Sequence, residues 1–270
     1  MKDFKDKVVV ITGGATGLGK AMADKFGEQG AKVVICARRE NRLQEAVEDM
    51  KLKGIDARYK VCDVSNLEDV KALADFAWDE FGQVDVLVNN AGIAGIPEFV
   101  VDSSEASYQG IFKVNIFGIL NGIWAFGKRI IEQGTPAMIL NVHSETGLYV
   151  PGPMMGSYAA SKYAGKAISE SLRMEVPDFI EVGSIFPGVV QSELGGSTAM
   201  TQIGMPVDDF IDIIWPQIEN GDFYIVSHPC AKDYTGENAK ELSDAFDKYA
   251  PHYEGDEKYD SRWLAKQMME

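Results

Sequence analysis

Seven short runs of valine, isoleucine and other apolar residues, each separated from the next by a longer amphipathic stretch, constrain this chain more than any other feature. The runs are Lys7–Thr12, Lys32–Ala37, Ala57–Val64, Val84–Asn89, Ala137–Val142, Val182–Phe186 and Phe223–Ser227. Nearly continuous apolar character, without strict alternation, is what a strand covered on both faces requires. Asn41–Lys53 and Leu67–Phe81 instead repeat apolar residues every three or four positions against a charged face, which is the helical period. Gly54 and Gly82 stand where those helices should stop, and Asp102–Ser104 reads as a helix start. Strands alternating with helices predict a parallel sheet wound by right-handed crossovers.

At 270 residues the chain suits one domain, 1–270, with a single sizeable core. Gln191–Pro206, rich in Gly, Ser, Thr and Met, predicts a lid over 191–220, and 229–270 reads as an acidic, aromatic C-terminal helical tail. The net charge of −15, from 26 basic and 41 acidic residues, argues against nucleic acid or an anionic membrane as partner. The three cysteines have no CxxC spacing and read as buried thiols of a reducing cytosol. MKDFKDKVVV lacks the apolar stretch of a signal peptide, and no run of about 20 apolar residues offers a membrane span. The expectation is a cytoplasmic protein.

Thr12-Gly13-Gly14-Ala15-Thr16-Gly17-Leu18-Gly19 follows the first strand and opens a helix. Glycines there let backbone approach a pyrophosphate at the positive end of that helix, through Gly13, Thr16, Gly17, Leu18 and Gly19. With the strand pattern, this predicts a Rossmann-type doubly wound α/β fold: a seven-stranded parallel sheet with helices on both faces. The second strand ends Cys36-Ala37-Arg38-Arg39-Glu40, with no acid at Ala37 to accept from a ribose hydroxyl. Arg38 and Arg39 suit a 2′-phosphate, so NADP is the expected cofactor and NAD the alternative. The alternative is that they solvate a helix start. Asp63, followed by Val64, reads either as an acceptor for the adenine amine or as a helix N-cap. Asn89-Asn90-Ala91-Gly92 ends the fourth strand, where Asn90, Ala91 and Gly92 allow close approach to the cofactor.

Tyr158 and Lys162, four apart in a helix capped by Gly156 or Ser157, share a face. An ammonium beside a phenol favours phenolate, suiting the phenol to exchange a proton with an alcohol or a carbonyl. Ser144, after the fifth strand, can hydrogen-bond the substrate oxygen. Asn115 lies near the start of an apolar helix, as a buried amide in need of partners. Pro187-Gly188-Val189-Val190-Gln191-Ser192 could clamp a carboxamide through Pro187, Gly188, Val190 and Ser192.

TGGATGLG at 12–19, NNAG at 89–92, Asn115, Ser144, YAASK at 158–162 and PGVVQS at 187–192 together resemble the compact short-chain dehydrogenase/reductases over about residues 5–228. The resemblance implies that Tyr158 is the acid/base, that Lys162 tunes it and binds the nicotinamide ribose, and that Ser144 orients the substrate. It implies further that Asn115 holds a water in a proton relay, and that the assembly is a homotetramer or dimer. His143 stands where the family often has a serine and reads as a packed neighbour. His228 and His252 have no partner at metal spacing, so no metal site is expected.

Glu145, Tyr149, Met154, Met155, Leu194, Met200 and Met205 should line the substrate cleft with Ser144, and Glu145 is expected to orient a polar group of the substrate. Their apolar bulk suits a lipophilic alcohol or ketone with a bulky ring system, as small-molecule substrate. The C-terminal end resembles enzymes of hydroxysteroids or aromatic lignin-type alcohols, and a hydroxysteroid, including bile acids, is the preferred expectation. A 3-oxoacyl-carrier reductase fits the acidic surface poorly. A nucleotide-sugar epimerase would carry a different glycine loop, and a redox-sensing NADP-binding protein would show a damaged catalytic set.

Overall fold

The computed structural model describes residues 1–192, 194 and 203–269. Two units are resolved, Met1–His228 and Pro229–Glu270. The first holds a seven-stranded sheet: β1 Val8–Thr12, β2 Lys32–Ala37, β3 Ala57–Val61, β4 Val86–Asn89, β5 Ala137–Val142, β6 Ile180–Phe186 and β7 Tyr224–Val226. The order is β3-β2-β1-β4-β5-β6-β7, and every pairing is parallel. The helices are α1 Gly17–Glu28, α2 Glu40–Leu52, α3 Leu67–Phe81, α4 Glu105–Asn115, α5 Phe117–Gln133, α6 Gly156–Glu175 and α7 Val207–Asn220. The expected doubly wound α/β architecture is the one observed.

Because successive strand residues point to opposite faces, the sheet builds two cores. Val9 and Ile11 join Phe26 of α1, Met50 of α2 and Ile214 of α7 on one side. Val8 and Val10 join Leu73 of α3, Phe126 and Ile130 of α5 and Leu172 of α6 on the other. Phe4, Phe26 and Trp215 interlock with centroids 4.9–5.3 Å apart. Truncating Phe26, which has no exposed surface, would cost about 3–5 kcal/mol.

Taken together, Glu105–Gln133 is long and apolar enough to cross a membrane by length and composition alone, although no run of about 20 consecutive apolar residues lies within it. Phe126 and Ile130 nevertheless pack into the second core, and the buried Asn121 donates to the Val64 carbonyl at 2.8 Å. A difference from the sequence expectation concerns Asn115. It is the last residue of α4 rather than near a helix start, because the chain breaks at Ile116 before α5. The second unit consists of α8 Cys230–Tyr249, a short 3-10 turn Asp256–Tyr259 and α9 Ser261–Met269; neither α8 nor the turn buries a residue.

The sheet order reverses between β1 and β4. Open α/β sheets bind ligands outside the carboxyl ends of their strands at such a point.

Candidate active site

The carboxyl ends of β1, β4, β5 and β6 bring the sequence-selected residues into one region. After β1 the chain turns through Gly13 (φ +66°) and Gly17 (φ +54°). Gly19 packs so closely that a Cβ there would lie 2.3 Å from the Gly13 carbonyl oxygen. Thr16 caps α1 without spending its hydroxyl on it, and no acid occupies the first turn. Leu18 packs on the first core.

Asn90 fastens this loop. Its Nδ2 donates to the carbonyls of Thr12 (2.9 Å) and Gly13 (3.2 Å). The Thr12 hydroxyl in turn accepts from the backbone N–H groups of Asn90 and Ala91. A Cβ on Gly92 would lie 3.3 Å from Asn115 Oδ1 and 3.6 Å from Lys162 Nζ.

Arg38 and Arg39 lie exposed at the end of β2. Asp63 is not the helix cap; that position belongs to Asn66, which accepts from Glu68 N. Asp63 instead accepts from the Ser65 N–H and hydroxyl, at 2.9 and 2.8 Å. Burial works against its charge, but these bonds and the nearby Arg38 hold its carboxyl below the ordinary value. Val64 is buried.

Ser144 leaves β5 and caps a 3-10 turn, Glu145–Gly147, by accepting from Thr146 N at 3.2 Å. Its hydroxyl also hydrogen-bonds Tyr158, whose ring is half-buried. Lys162, almost fully buried, donates to the Val142 carbonyl at 3.3 Å and lies 5.5 Å from the Tyr158 ring centroid. α6 begins earlier than either expected cap, Gly156 or Ser157, would give, with Met155 as its N-cap. Met154 before it adopts φ +67°, a conformation rare outside glycine and asparagine.

The spacing of Tyr158 and Lys162 predicts a phenol drawn toward phenolate, and the structure reverses that direction. Burial pushes the Tyr158 hydroxyl up, the Ser144 hydrogen bond opposes the rise, and the Glu145 carboxylate adds to it. Burial also pulls Lys162 down to about 8. The ammonium faces the ring and a backbone carbonyl, so its charge does not outweigh desolvation at the hydroxyl.

The Asn115 side chain is fully engaged: Nδ2 donates to the Ile93 carbonyl (2.9 Å) and to Ser161 Oγ (3.0 Å), and Oδ1 accepts from Ile93 N at 2.8 Å. It ties the segment after β4 to the helix that carries Tyr158.

Asn141, Ser169 and the bracing role of His228 escaped the sequence reading. Asn89 donates to Asn141, which donates to Ser169, an inner residue of α6. Ser169 Oγ donates to the Gly165 carbonyl, so the 3.0 Å contact with His143 Nε2 requires the imidazole to be the donor. Burial, with the Lys162 and Lys166 charges, takes His143 down to about 3, and it stays neutral. His228 braces the segment after β6: its Nδ1 accepts from Gly188 N at 3.2 Å, leaving Nε2 to donate to the Val189 carbonyl at 3.3 Å. Pro187 fixes the turn after Ser144 by accepting from Glu145 N at 2.9 Å. Ser192 approaches the glycine loop, 3.3 Å from a Cβ built on Gly17. Val190 is buried and bridges to Met205.

Of the expected cleft residues, Met154 and Leu194 are exposed, Met155 is half-buried and bridges to Glu98, and Tyr149 is buried. Met200 lies outside the described residues. Among the described residues, no group of three His, Cys, Asp or Glu could hold a metal.

Residues 7–202 match the family model described as short chain dehydrogenase. The chain is a member of that family. It is therefore an oxidoreductase on a Rossmann-type scaffold. Among curated relatives, the probable oxidoreductase EphD of Mycobacterium tuberculosis is 35% identical over 197 residues, 72% of this chain. That alignment spans only 33% of EphD, so this chain is similar to about a third of the larger protein. Diacetyl reductase [(S)-acetoin forming] of Staphylococcus epidermidis is 33% identical, over 70% of this chain and 73% of its own. The crystal structure of a short chain dehydrogenase/reductase from Burkholderia phymatum in complex with NAD superposes with a TM-score of 0.86 at 27% identity, covering 94% of this chain and all of that one.

A short-chain dehydrogenase works with a nicotinamide dinucleotide, and the residues present fit one. The cradle at Gly13, Gly17 and Gly19 is one that a Cβ would fill. The Thr16 hydroxyl makes no bond to the helix it caps. Hydride acceptance and donation are the chemistry such a cofactor supplies when bound. The chain itself places the Tyr158 hydroxyl against Ser144 and buries the ammonium of Lys162 5.5 Å from the Tyr158 ring centroid.

Proposed function

We propose that this short-chain dehydrogenase interconverts a secondary alcohol and a ketone with NADP(H), acting on a lipophilic substrate of which a hydroxysteroid or bile-acid hydroxyl is the preferred example. The observation that carries the reaction type is the meeting of Ser144, Tyr158 and Lys162 at the carboxyl end of β5, beside the glycine cradle. Tyr158 gives its proton to a carbonyl oxygen or takes one from an alcohol, Ser144 holds that oxygen, and the Lys162 charge offsets the phenolate that forms. Asn115 braces this arrangement through Ile93 and Ser161; with its amide engaged, a relay water would rest on its backbone carbonyl.

Arg38 and Arg39 support NADP, since Arg38 already acts on Asp63 at the strand ends where the adenosine ribose belongs. Exposed Met154 and Leu194 support an apolar substrate. A cytoplasmic homotetramer or dimer completes the reading.

The test is an absorbance screen at the reduced-nicotinamide band, with steroid, bile-acid, aromatic and aliphatic alcohols and both cofactors, on wild type and Tyr158→Phe. The substitution should remove at least ~10²-fold of turnover and leave cofactor binding nearly unchanged. Full turnover by Tyr158→Phe would overturn the mechanism.

A further inference from the structure

His143 stands in the chain between two residues of the site. Val142 before it gives its carbonyl to Lys162 Nζ, and Ser144 after it hydrogen-bonds Tyr158. Its own N–H donates to the Ile185 carbonyl at 2.8 Å, which holds this end of β5 to β6. The side chain is buried and meets α6 at two points. Nε2 lies 3.0 Å from Ser169 Oγ, and a Cβ on Gly165 would stand 2.7 Å from Nδ1 and 3.0 Å from Cε1. Tyr158, Lys162, Gly165 and Ser169 follow one another at i, i+4, i+7 and i+11 of α6, so they share one stripe of that helix. The imidazole therefore packs on the continuation of the stripe that carries Tyr158 and Lys162.

This docking is costly if the ring only fills space. A glycine inside a helix weakens it. Nδ1 is buried with no hydrogen-bond partner among the described residues, which forfeits its hydration. An apolar residue at 143 with alanine at 165 would avoid both costs. What the imidazole adds is a fixed donor. Ser169 Oγ also accepts from Asn141 Nδ2 at 2.9 Å, and Asn141 Oδ1 accepts from Asn89 Nδ2 at 2.9 Å. These bonds tie β4, β5 and α6 into one buried polar chain, and such a chain favours a single arrangement of the elements it joins.

We propose that His143 is a positioning residue, whose imidazole, docked on Gly165 and Ser169, sets α6 against the end of β5 and so brings the Tyr158 hydroxyl to Ser144. The inference rests on the Tyr158 reading above and deepens it, because it adds a residue that acts through Ser144 and Lys162 rather than on the reacting atoms.

The test measures kcat and KM for oxidation of 1-phenylethanol and cholate at saturating NADP⁺ in wild type, His143→Gln, His143→Leu and Gly165→Ala. His143→Leu keeps bulk without the donor, and it should lose ~10- to ~100-fold of kcat, the scale of a reacting group misplaced by a fraction of an ångström to one ångström. KM and the dissociation constant for NADPH should stay within ~2-fold, because neither ligand is bound through this contact. His143→Gln keeps a donor for Ser169 and should hold kcat within ~3-fold of wild type even where its stability falls. Gly165→Ala leaves the imidazole in the sequence and drives it off the helix, so it should lose kcat as His143→Leu does; it carries the test from the helix side if His143→Leu does not fold. Circular dichroism and NADPH titration establish which variants fold. Wild-type kcat in His143→Leu or Gly165→Ala, equal kcat losses in His143→Gln and His143→Leu, or a change confined to KM would each overturn the positioning role and leave the Tyr158 reading standing. Full turnover by Tyr158→Phe, or failure of wild type to oxidise these or any screened alcohol, would overturn that reading and this inference with it.

Discussion

Lys162 Nζ lies 5.5 Å from the centroid of the Tyr158 ring and donates to the Val142 carbonyl at 3.3 Å. The helix thus presents its cation to the body of the phenol, while the same ammonium donates to the strand that delivers Ser144. One buried ammonium couples the strand that ends before Ser144 to the helix that carries Tyr158.

A pH dependence follows from that burial. Lys162 is down at about 8, and desolvation holds Tyr158 above its ordinary value. As pH rises through about 8, Lys162 loses its charge while Tyr158 keeps its proton. kcat/KM for ketone reduction should therefore fall on the alkaline side with an apparent pKa near 8. In Lys162→Arg the guanidinium stays charged, so the limb should move to higher pH even though the maximum falls. An unchanged limb in Lys162→Arg would assign the titration to another group.

How far the sequence carried the reading can be seen in particular residues. The apolar runs located all seven strands because strands buried on both faces leave an unbroken signature. Their ends were less legible. β3 stops at Val61, where Asp63 turns to bond Ser65, and β4 starts only after Asp85, whose carboxylate accepts from Val8 N across the sheet. The glycine nearest Ile116, Gly118, lies inside α5 and not at the break, so the end of α4 at Asn115 was not legible. His228 looked isolated because its partners, Gly188 and Val189, lie forty residues upstream. Only the pairing of β6 with β7 brings them together. The Tyr158–Lys162 spacing was legible, whereas desolvation is a property of the packed site and reversed the expected shift of the phenol.

The arginine pair gives a cofactor prediction independent of the chemistry. Arg38 and Arg39 stand at the end of β2 with no acid at Ala37 to meet a ribose hydroxyl. Replacing both with serine should weaken NADP(H) by ~10-fold or more, the scale of losing one charge-assisted hydrogen bond, and change NAD(H) far less. Fluorescence titration of both reduced cofactors measures the ratio. Equal weakening of the two would reject a 2′-phosphate contact.

His143 supplies a prediction about stability. Inside the protein it is held at about 3 by burial and by the Lys162 and Lys166 charges, against 6.5 for the free group. Between those values the unfolded chain binds a proton that the folded chain refuses. The folded state therefore loses stability as pH falls from about 6.5 toward 3. At pH 4.5 the loss from this residue alone is about 3 kcal/mol, two units of displaced titration. His143→Gln keeps a donor for Ser169 Oγ and removes the titration. It should be less stable than wild type at pH 7, because the imidazole packs against Phe186 and fills the space that Gly165 leaves. The gap should narrow or reverse by pH 4.5. Urea unfolding midpoints at the two pH values decide the matter, and a gap that stays constant would mean that His143 already binds its proton in the folded state.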